Sequence, residues 1–145
     1  MNDNFANNLY QQMVQLNDFF NQPQNDLLLL KHVKIELDQR LFPLFSTIAR
    51  KQPISVGQLA QLMGIPHSTI SRRLDRLEQQ NLISAVQNND LRSRTVQLSD
   101  KGVTLDKQLS ASRVQLLNQA LRSLTIEQQN QILQAIKCLN QLLSQ

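Results

Sequence analysis

The sequence predicts a mostly α-helical chain with one small β-hairpin near its middle. Three observations predict this class. Apolar residues recur at three- and four-residue steps near both ends, Gly64 separates two short helical patterns, and two short runs with β-branched residues follow them. A length of 145 residues usually means one domain with its own core.

The first third of the chain predicts helices on both sides of a polar break. The apolar residues that predict the first helix, over about 4–21, are Phe5, Leu9, Met13, Leu16 and Phe20. After Asp26 the pattern is ambiguous, because four consecutive leucines suit a buried helix whereas the alternation over 33–38 suits a strand. We favour a helix. A further helix runs to about Arg50 with Pro43 in its first turn, where a missing N–H costs nothing.

The next segment predicts a helix-turn-helix. Residues 55–58, Ser-Val-Gly-Gln, have the form of a capping box and open a short helix. Gly64 supplies the turn, and a second helix then runs to about Gln80. Two helices joined by a short turn that contains glycine are typical of this motif. The inward stripe of the second helix is Ile70, Leu74 and Leu77.

A β-hairpin and two further helices complete the chain. Residues 83–87 and 95–98 predict its strands, and the loop between them is polar and basic. Ser99 is the expected N-cap of a long helix to about Ser123, and Thr125 caps the last helix. The apolar face of that last helix is wide and comprises Ile132, Leu133, Ile136, Leu139, Leu142 and Leu143. Cys138 lies on or beside this stripe, so we expect it to be buried.

The formal net charge of +4 is concentrated in the middle of the chain. Residues 50–101 hold eight basic and four acidic side chains, whereas the rest of the chain holds seven of each sign. A basic segment between two neutral arms is typical of a surface that meets a polyanion, and nucleic acid is the first candidate. A solvated basic face without a partner is the alternative.

The second helix of the helix-turn-helix is suited to read DNA. With its N-terminal end in the major groove, Ser68 and Thr69 would approach base edges and backbone, and Arg72 would bond guanine O6 and N7. Free N–H groups at this helix start, together with the Ser55 end of the preceding helix, would anchor phosphate oxygens. The expected DNA-binding residues are Ser55, Ser68, Thr69, Ser71, Arg72, Arg73, Arg76, Arg92 and Arg94. Arg92 and Arg94 lie at the tip and base of the hairpin, where a guanidinium would enter the minor groove.

Three strings in this region resemble one known family. They are LDRLEQQNLI at 74–83, Asp-Leu-Arg at 90–92 and VQLSDKG at 96–102. Their order and spacing are similar to those of the MarR family of winged-helix transcription regulators, in which L-D-R-L-E-x-x-G-L-I, D-x-R and V-x-L-T-x-x-G follow one another. Four positions depart from that pattern: Asn81 replaces the usual glycine, Ser99 replaces the threonine, and Ala85 and Leu91 stand where arginines are common.

The resemblance implies an architecture and a function. It implies one MarR-like domain over 1–145, with a winged helix-turn-helix lobe at 38–101 and a helical dimerisation region formed by 1–37 and 102–145. It further implies a homodimeric repressor on a pseudo-palindromic operator, with the recognition helix in the major groove and the wing in the minor groove. The family's wing arginine corresponds to Arg92. Some relatives bind aromatic acids, and by that analogy a small effector would meet His32, Arg40 or Arg113.

Other classes find little support in the sequence. No nucleotide, acyl-transfer or zincin motif occurs, and two His and one Cys cannot complete a four-ligand zinc site, so we expect neither an enzyme nor a cofactor. The longest apolar run, 27–30, is too short to span a bilayer, and no signal peptide is evident, so a cytoplasmic location is expected. The rival function is a winged-helix protein-interaction module or antagonist that no longer binds DNA.

Overall fold

The computed structural model describes residues 3–20, 22, 31, 37–87 and 93–145. The chain divides into two compact units, Met1–Ser112 and Arg113–Gln145. The helix expected after Asp26 and the hairpin tip fall almost entirely outside the described residues. The α-helices in the described part are α1 (Asp3–Phe20), α2 (Phe42–Lys51), α3 (Val56–Met63), α4 (His67–Gln79), α5 (Asp100–Ala120) and α6 (Ile126–Leu143), with a 3-10 turn at Gln39–Leu41.

The helix-turn-helix formed by α3 and α4 confirms the sequence prediction. In the capping box before α3, the Gln58 N–H donates to Ser55 Oγ at 3.1 Å, and the Ser55 N–H donates to Gln58 Oε1 at 3.0 Å. Gly64 ends α3 in the left-handed region, with φ of 64°. Pro43 lies in the first turn of α2, also as predicted.

A three-stranded antiparallel sheet packs beside these helices. It comprises β1 (Ile54–Ser55), β2 (Ile83–Val86) and β3 (Thr95–Leu98), in the order β1-β3-β2. Ile54 pairs with Val96, and Ile83 pairs with Leu98. The two longer strands confirm the predicted hairpin. Strand β1 was not predicted, because two residues are too few to show an alternating pattern.

The core of the first unit lies between α2, the helix-turn-helix, the sheet and the first half of α5. Its largest fully buried side chains include Phe45 and Ile48 on α2 and Leu109 on α5. The predicted inward stripe of α4 is fully buried there, at 0% exposure for Ile70, Leu74 and Leu77. These three buried residues span two helical turns and fix the rotation of α4 about its axis. The opposite face of α4 is therefore turned to solvent.

The start of α5 is held against the turn that follows α4. Ser99 caps α5 as predicted, since its Oγ accepts from the Gly102 N–H at 3.0 Å, and its own N–H donates to the Leu82 carbonyl at 3.0 Å. Lys101 Nζ donates to the Gln80 carbonyl at 2.9 Å. A Cβ on Gly102 would overlap the Leu82 carbonyl oxygen, so the close approach of helix and turn requires glycine here.

Asn81 takes the left-handed conformation, with φ of 60°, which confirms its role as the substitute for glycine after α4. We expect Asn81→Ala to lower the free energy of unfolding by about 1 kcal/mol, because alanine lacks the local hydrogen bonding with which the asparagine side chain offsets the cost of this region. Asn81→Gly should change it by less than about 0.5 kcal/mol, since the relief is offset by a freer unfolded chain. Urea unfolding measures both, and an alanine variant as stable as the parent would contradict the expectation.

The outer helices carry unburied apolar faces. Neither α1 nor α6 has a buried residue, and on α6 the side chains of Ile132, Leu133 and Ile136 are 49%, 54% and 43% exposed. Cys138 is exposed as well, so the expectation that it is buried is wrong for the single chain. Within the residues the structure describes, none of the helices combines the length and apolarity that crossing a bilayer requires.

Candidate nucleic-acid interface

The outward face of α4 is polar and accessible. Ser68, Arg72, Asp75 and Gln79 are all exposed, which confirms the rotation predicted from the apolar stripe. Thr69, Ser71 and Arg73, the remaining residues expected near DNA at the start and middle of this helix, are half-buried on its flanks. The short side chains Ser68 and Thr69 lie at the N-terminal end of the helix.

Arg72 is the cation best placed to meet a ligand. Its Nε donates to the Ser68 carbonyl one turn earlier at 3.4 Å, a long hydrogen bond within its own helix. Within the described ranges, neither Arg72 nor Arg73 forms an ion pair with a carboxylate. The terminal nitrogens of Arg72 therefore remain available for two parallel hydrogen bonds.

Arg76 is tethered loosely to the segment before α2. Its Nη1 lies 3.6 Å from Asp38 Oδ2, and the two side chains are 60% and 44% exposed. Asp38 also caps the 3-10 turn, because its Oδ1 accepts from the Arg40 N–H at 2.9 Å. A solvated pair at this distance contributes little free energy, so Arg76 remains able to exchange Asp38 for another anion.

Arg94 makes contacts that the sequence analysis did not foresee. Its Nη1 donates to Asp75 Oδ1 at 2.8 Å and to the Ser71 carbonyl at 3.3 Å, and its Nη2 donates to Glu78 Oε2 at 2.9 Å. It is 31% exposed, against 58% for Asp75 and 51% for Glu78. Arg94 lies far from α4 in sequence. The one feature that could have indicated these contacts is that residues 71, 75 and 78 share one face of α4.

Two further predicted contact positions, Ser55 and Arg92, lie outside α4. Ser55 is half-buried, and its hydroxyl serves the capping box of α3. Arg92, with Asp90 and Leu91, lies outside the described residues. The N-cap of α4 is Pro66, which supplies no side-chain hydrogen bond, so the first turn of α4 lacks a side-chain cap for its N–H groups.

The three predicted effector residues belong to different parts of the chain, and the effector site remains a prediction. His32 lies outside the described residues, Arg40 is exposed in the 3-10 turn, and Arg113 is half-buried on α5 in the second unit. An open groove of about 510 Å³ is lined instead by Lys51, Pro53, Ile54, Gln58, Gln61 and Leu62. In the part of the chain that the structure describes, no three His, Cys, Asp or Glu side chains group as metal ligands.

Comparisons with known proteins agree with this architecture. A sequence model of the MarR family matches residues 42–93, from the start of α2 to the end of the hairpin loop. A comparison with curated proteins finds no matching sequence.

Three solved structures illustrate the likeness over the full length. A MarR family protein from Bacillus stearothermophilus is 19% identical, with 100% of this chain and 99% of that chain covered and a TM-score of 0.79. The multiple antibiotic-resistance repressor of Listeria monocytogenes is 19% identical, with 100% and 98% covered and a TM-score of 0.67. Staphylococcus aureus MarR in complex with salicylate and kanamycin is 17% identical, with 97% and 93% covered and a TM-score of 0.64.

The helix-turn-helix, the hairpin and the long flanking helices define a winged-helix protein with a transcriptional-regulator fold. Sequence identities this low show a shared fold, and the matched segment adds a sequence likeness to the MarR family over residues 42–93. The chain has the winged-helix fold of MarR family proteins.

Proposed function

We propose that this protein is a homodimeric, sequence-specific DNA-binding regulator that represses transcription by occupying its operator. The observation that supports this most strongly is the exposed polar face of α4, on which Arg72 has no carboxylate partner among the described residues. Repression by occupancy needs no catalytic group. The protein would exclude other proteins from the operator for as long as it remains bound.

Base reading would rest on the N-terminal half of α4. A helix of 13 residues is long enough to enter the major groove with its first two turns. Ser68 and Thr69 are short enough to let the backbone approach the bases, and Arg72 would then span guanine O6 and N7. Each such bidentate pair is worth about 1 to 3 kcal/mol of discrimination.

Phosphate contacts would fix the orientation of α4. Arg73 and Arg76 flank its outward face, and Arg92 of the hairpin is proposed to reach the backbone or the minor groove. The first-turn N–H groups of α4 would receive one phosphate oxygen, which fits the missing side-chain cap at Pro66. These contacts give affinity on any sequence and leave selectivity to Arg72.

Dimerisation would bury the apolar faces that the single chain leaves exposed. On α1 these include Phe5, Leu16 and Phe20, at 61%, 49% and 63% exposure. In the second unit, the end of α5 and the whole of α6 expose Val114, Leu116, Leu117, Leu121, Ile126, Ile132, Leu133, Ile136, Leu142 and Leu143. Exposed apolar faces of this kind mark interaction sites, and we propose a second copy as their occupant. Two copies would present two α4 helices about 34 Å apart, one turn of DNA.

Release by a small anionic ligand is part of the proposal. The Staphylococcus aureus relative is known in complex with salicylate. An aromatic acid of this type would need a cation, and His32, Arg40 and Arg113 are the residues we propose for it. Titration with salicylate, followed by loss of DNA binding, tests this element.

We expect Arg72→Ala to weaken binding to the preferred duplex by about 1 to 3 kcal/mol, because it removes a bidentate base contact. The duplex is first recovered from a randomised pool with the parent protein, and selection with the variant should then show relaxed preference at one position per half-site. Arg122→Ala is the matched control, since it removes the same charge from the turn between α5 and α6. Equal losses on the selected and a scrambled duplex would show that Arg72 does not read bases.

A further inference from the structure

Helix α4 carries two acidic side chains beside the face that is proposed to contact DNA. Ser71, Asp75 and Glu78 follow one another at four- and three-residue steps, so they form one line along the helix. Asp75 and Glu78 are like charges three residues apart, a spacing that destabilises a helix and places negative potential where phosphates would approach. Both are more than half exposed.

Arg94 joins all three members of this line from the base of β3. Its guanidinium lies between the two carboxylates, at 2.8 Å from Asp75 Oδ1 and 2.9 Å from Glu78 Oε2, and it also donates to the Ser71 carbonyl. With three hydrogen bonds to α4, its donors are largely used within the protein. Arg94 is therefore poorly suited to grip a phosphate directly, although it is the arginine at the base of the wing.

We propose that Arg94 is a positioning residue for the DNA-binding face, acting by compensating the charges of Asp75 and Glu78 on the recognition helix. This inference rests on the proposed function. Arg94 contributes to affinity by removing repulsion between α4 and the phosphates and does not itself contact DNA.

Arg94 also protects Arg72. Asp75 lies three residues after Arg72, a spacing at which opposite charges on a helix pair with each other. With Arg94 in place, Asp75 is already held by a charge-assisted hydrogen bond at 2.8 Å. Without Arg94, Asp75 would turn to Arg72 and compete with the base for its guanidinium.

The proposal is tested by asking whether a loss of DNA affinity can be reversed. Arg94→Ala should weaken binding to both the selected and a scrambled duplex by roughly tenfold, since like charge near phosphates acts on any sequence. Adding Asp75→Asn and Glu78→Gln to Arg94→Ala should restore most of that affinity, because the uncompensated charges are then gone. The double variant Asp75→Asn/Glu78→Gln, with Arg94 intact, should bind at least as tightly as the parent. Fluorescence anisotropy at two salt concentrations measures all four proteins, and thermal unfolding reports their stability separately.

Two results overturn the proposal. If the triple variant binds as weakly as Arg94→Ala, Arg94 acts on DNA or on the wing and not through charge compensation. If the double variant binds more weakly than the parent, the two acids contribute to binding. Because the double variant keeps Arg94, this measurement remains decisive even if Arg94→Ala does not fold. If the parent protein binds neither duplex, both the proposed function and this inference are overturned. If the parent binds but the triple variant does not regain affinity, only the proposed role of Arg94 is overturned.

Discussion

Gly102→Ala is expected to lower the free energy of unfolding by more than about 3 kcal/mol, the upper range for overpacked sites. The added Cβ would overlap the Leu82 carbonyl oxygen, and it would also lie 3.1 Å from the carbonyl carbon and 3.3 Å from Leu98 Cβ. Because the overlapping Leu82 atoms belong to the backbone, a change of side-chain rotamer cannot relieve the overlap, and α5 and the turn after α4 would have to separate. Urea unfolding followed by circular dichroism measures the change.

Gly57→Ala is the matched control for this prediction. A Cβ at Gly57 would meet His67 Cε1 at 3.6 Å and Ser55 Oγ at 3.9 Å, which are ordinary contacts. Since Gly57 lies in α3, alanine should raise the free energy of unfolding by up to about 1 kcal/mol through helix propensity. If both alanine variants shift stability equally, steric overlap at Gly102 is not the cause.

Ile136→Glu is expected to convert the proposed dimer to a monomer and to weaken binding to the preferred duplex by about 100- to 10,000-fold. Ile136 lies on the exposed apolar stripe of α6 and is 43% exposed in the single chain, and a carboxylate buried there without a partner would oppose association. The two half-sites would then bind independently, which removes the gain from linked binding. Analytical ultracentrifugation gives the oligomeric state, and anisotropy gives the affinity.

Gln134→Glu provides the control, because it adds the same charge two residues away on the opposite, polar side of α6. We expect it to leave both the dimer and the affinity close to those of the parent. A dimeric Ile136→Glu protein with normal affinity would place the association surface elsewhere.

Local patterns in the sequence were sufficient to predict the elements that orient the candidate interface. The apolar stripe of α4 predicted its rotation, and the capping box at 55–58, the cap at Thr125 and Gly64 predicted helix boundaries, because each signal is contained within a few residues. The left-handed turn at Asn81 followed from its position in the family pattern, since glycine is usual there.

The features that escaped prediction all depend on contacts between distant segments. The carboxylate partners of Arg94 were not foreseen, because they lie on α4, 19 and 16 residues earlier in the chain. The need for glycine at position 102 comes from the approach of Leu82, and strand β1 exists only because β3 pairs with it. Residue spacing within one element contains no information on such neighbours.

The salt dependence of duplex binding tests the central claim most directly, namely that paired copies of this chain grip DNA through α4 and the wing. With Arg73, Arg76 and Arg92 on phosphates in each copy, the logarithm of the binding constant should fall against the logarithm of salt concentration with a slope of roughly −5. Two chains should bind per duplex. No binding to any duplex at low salt, or a partner protein held with an affinity that salt does not change, would contradict the account and favour an interaction module.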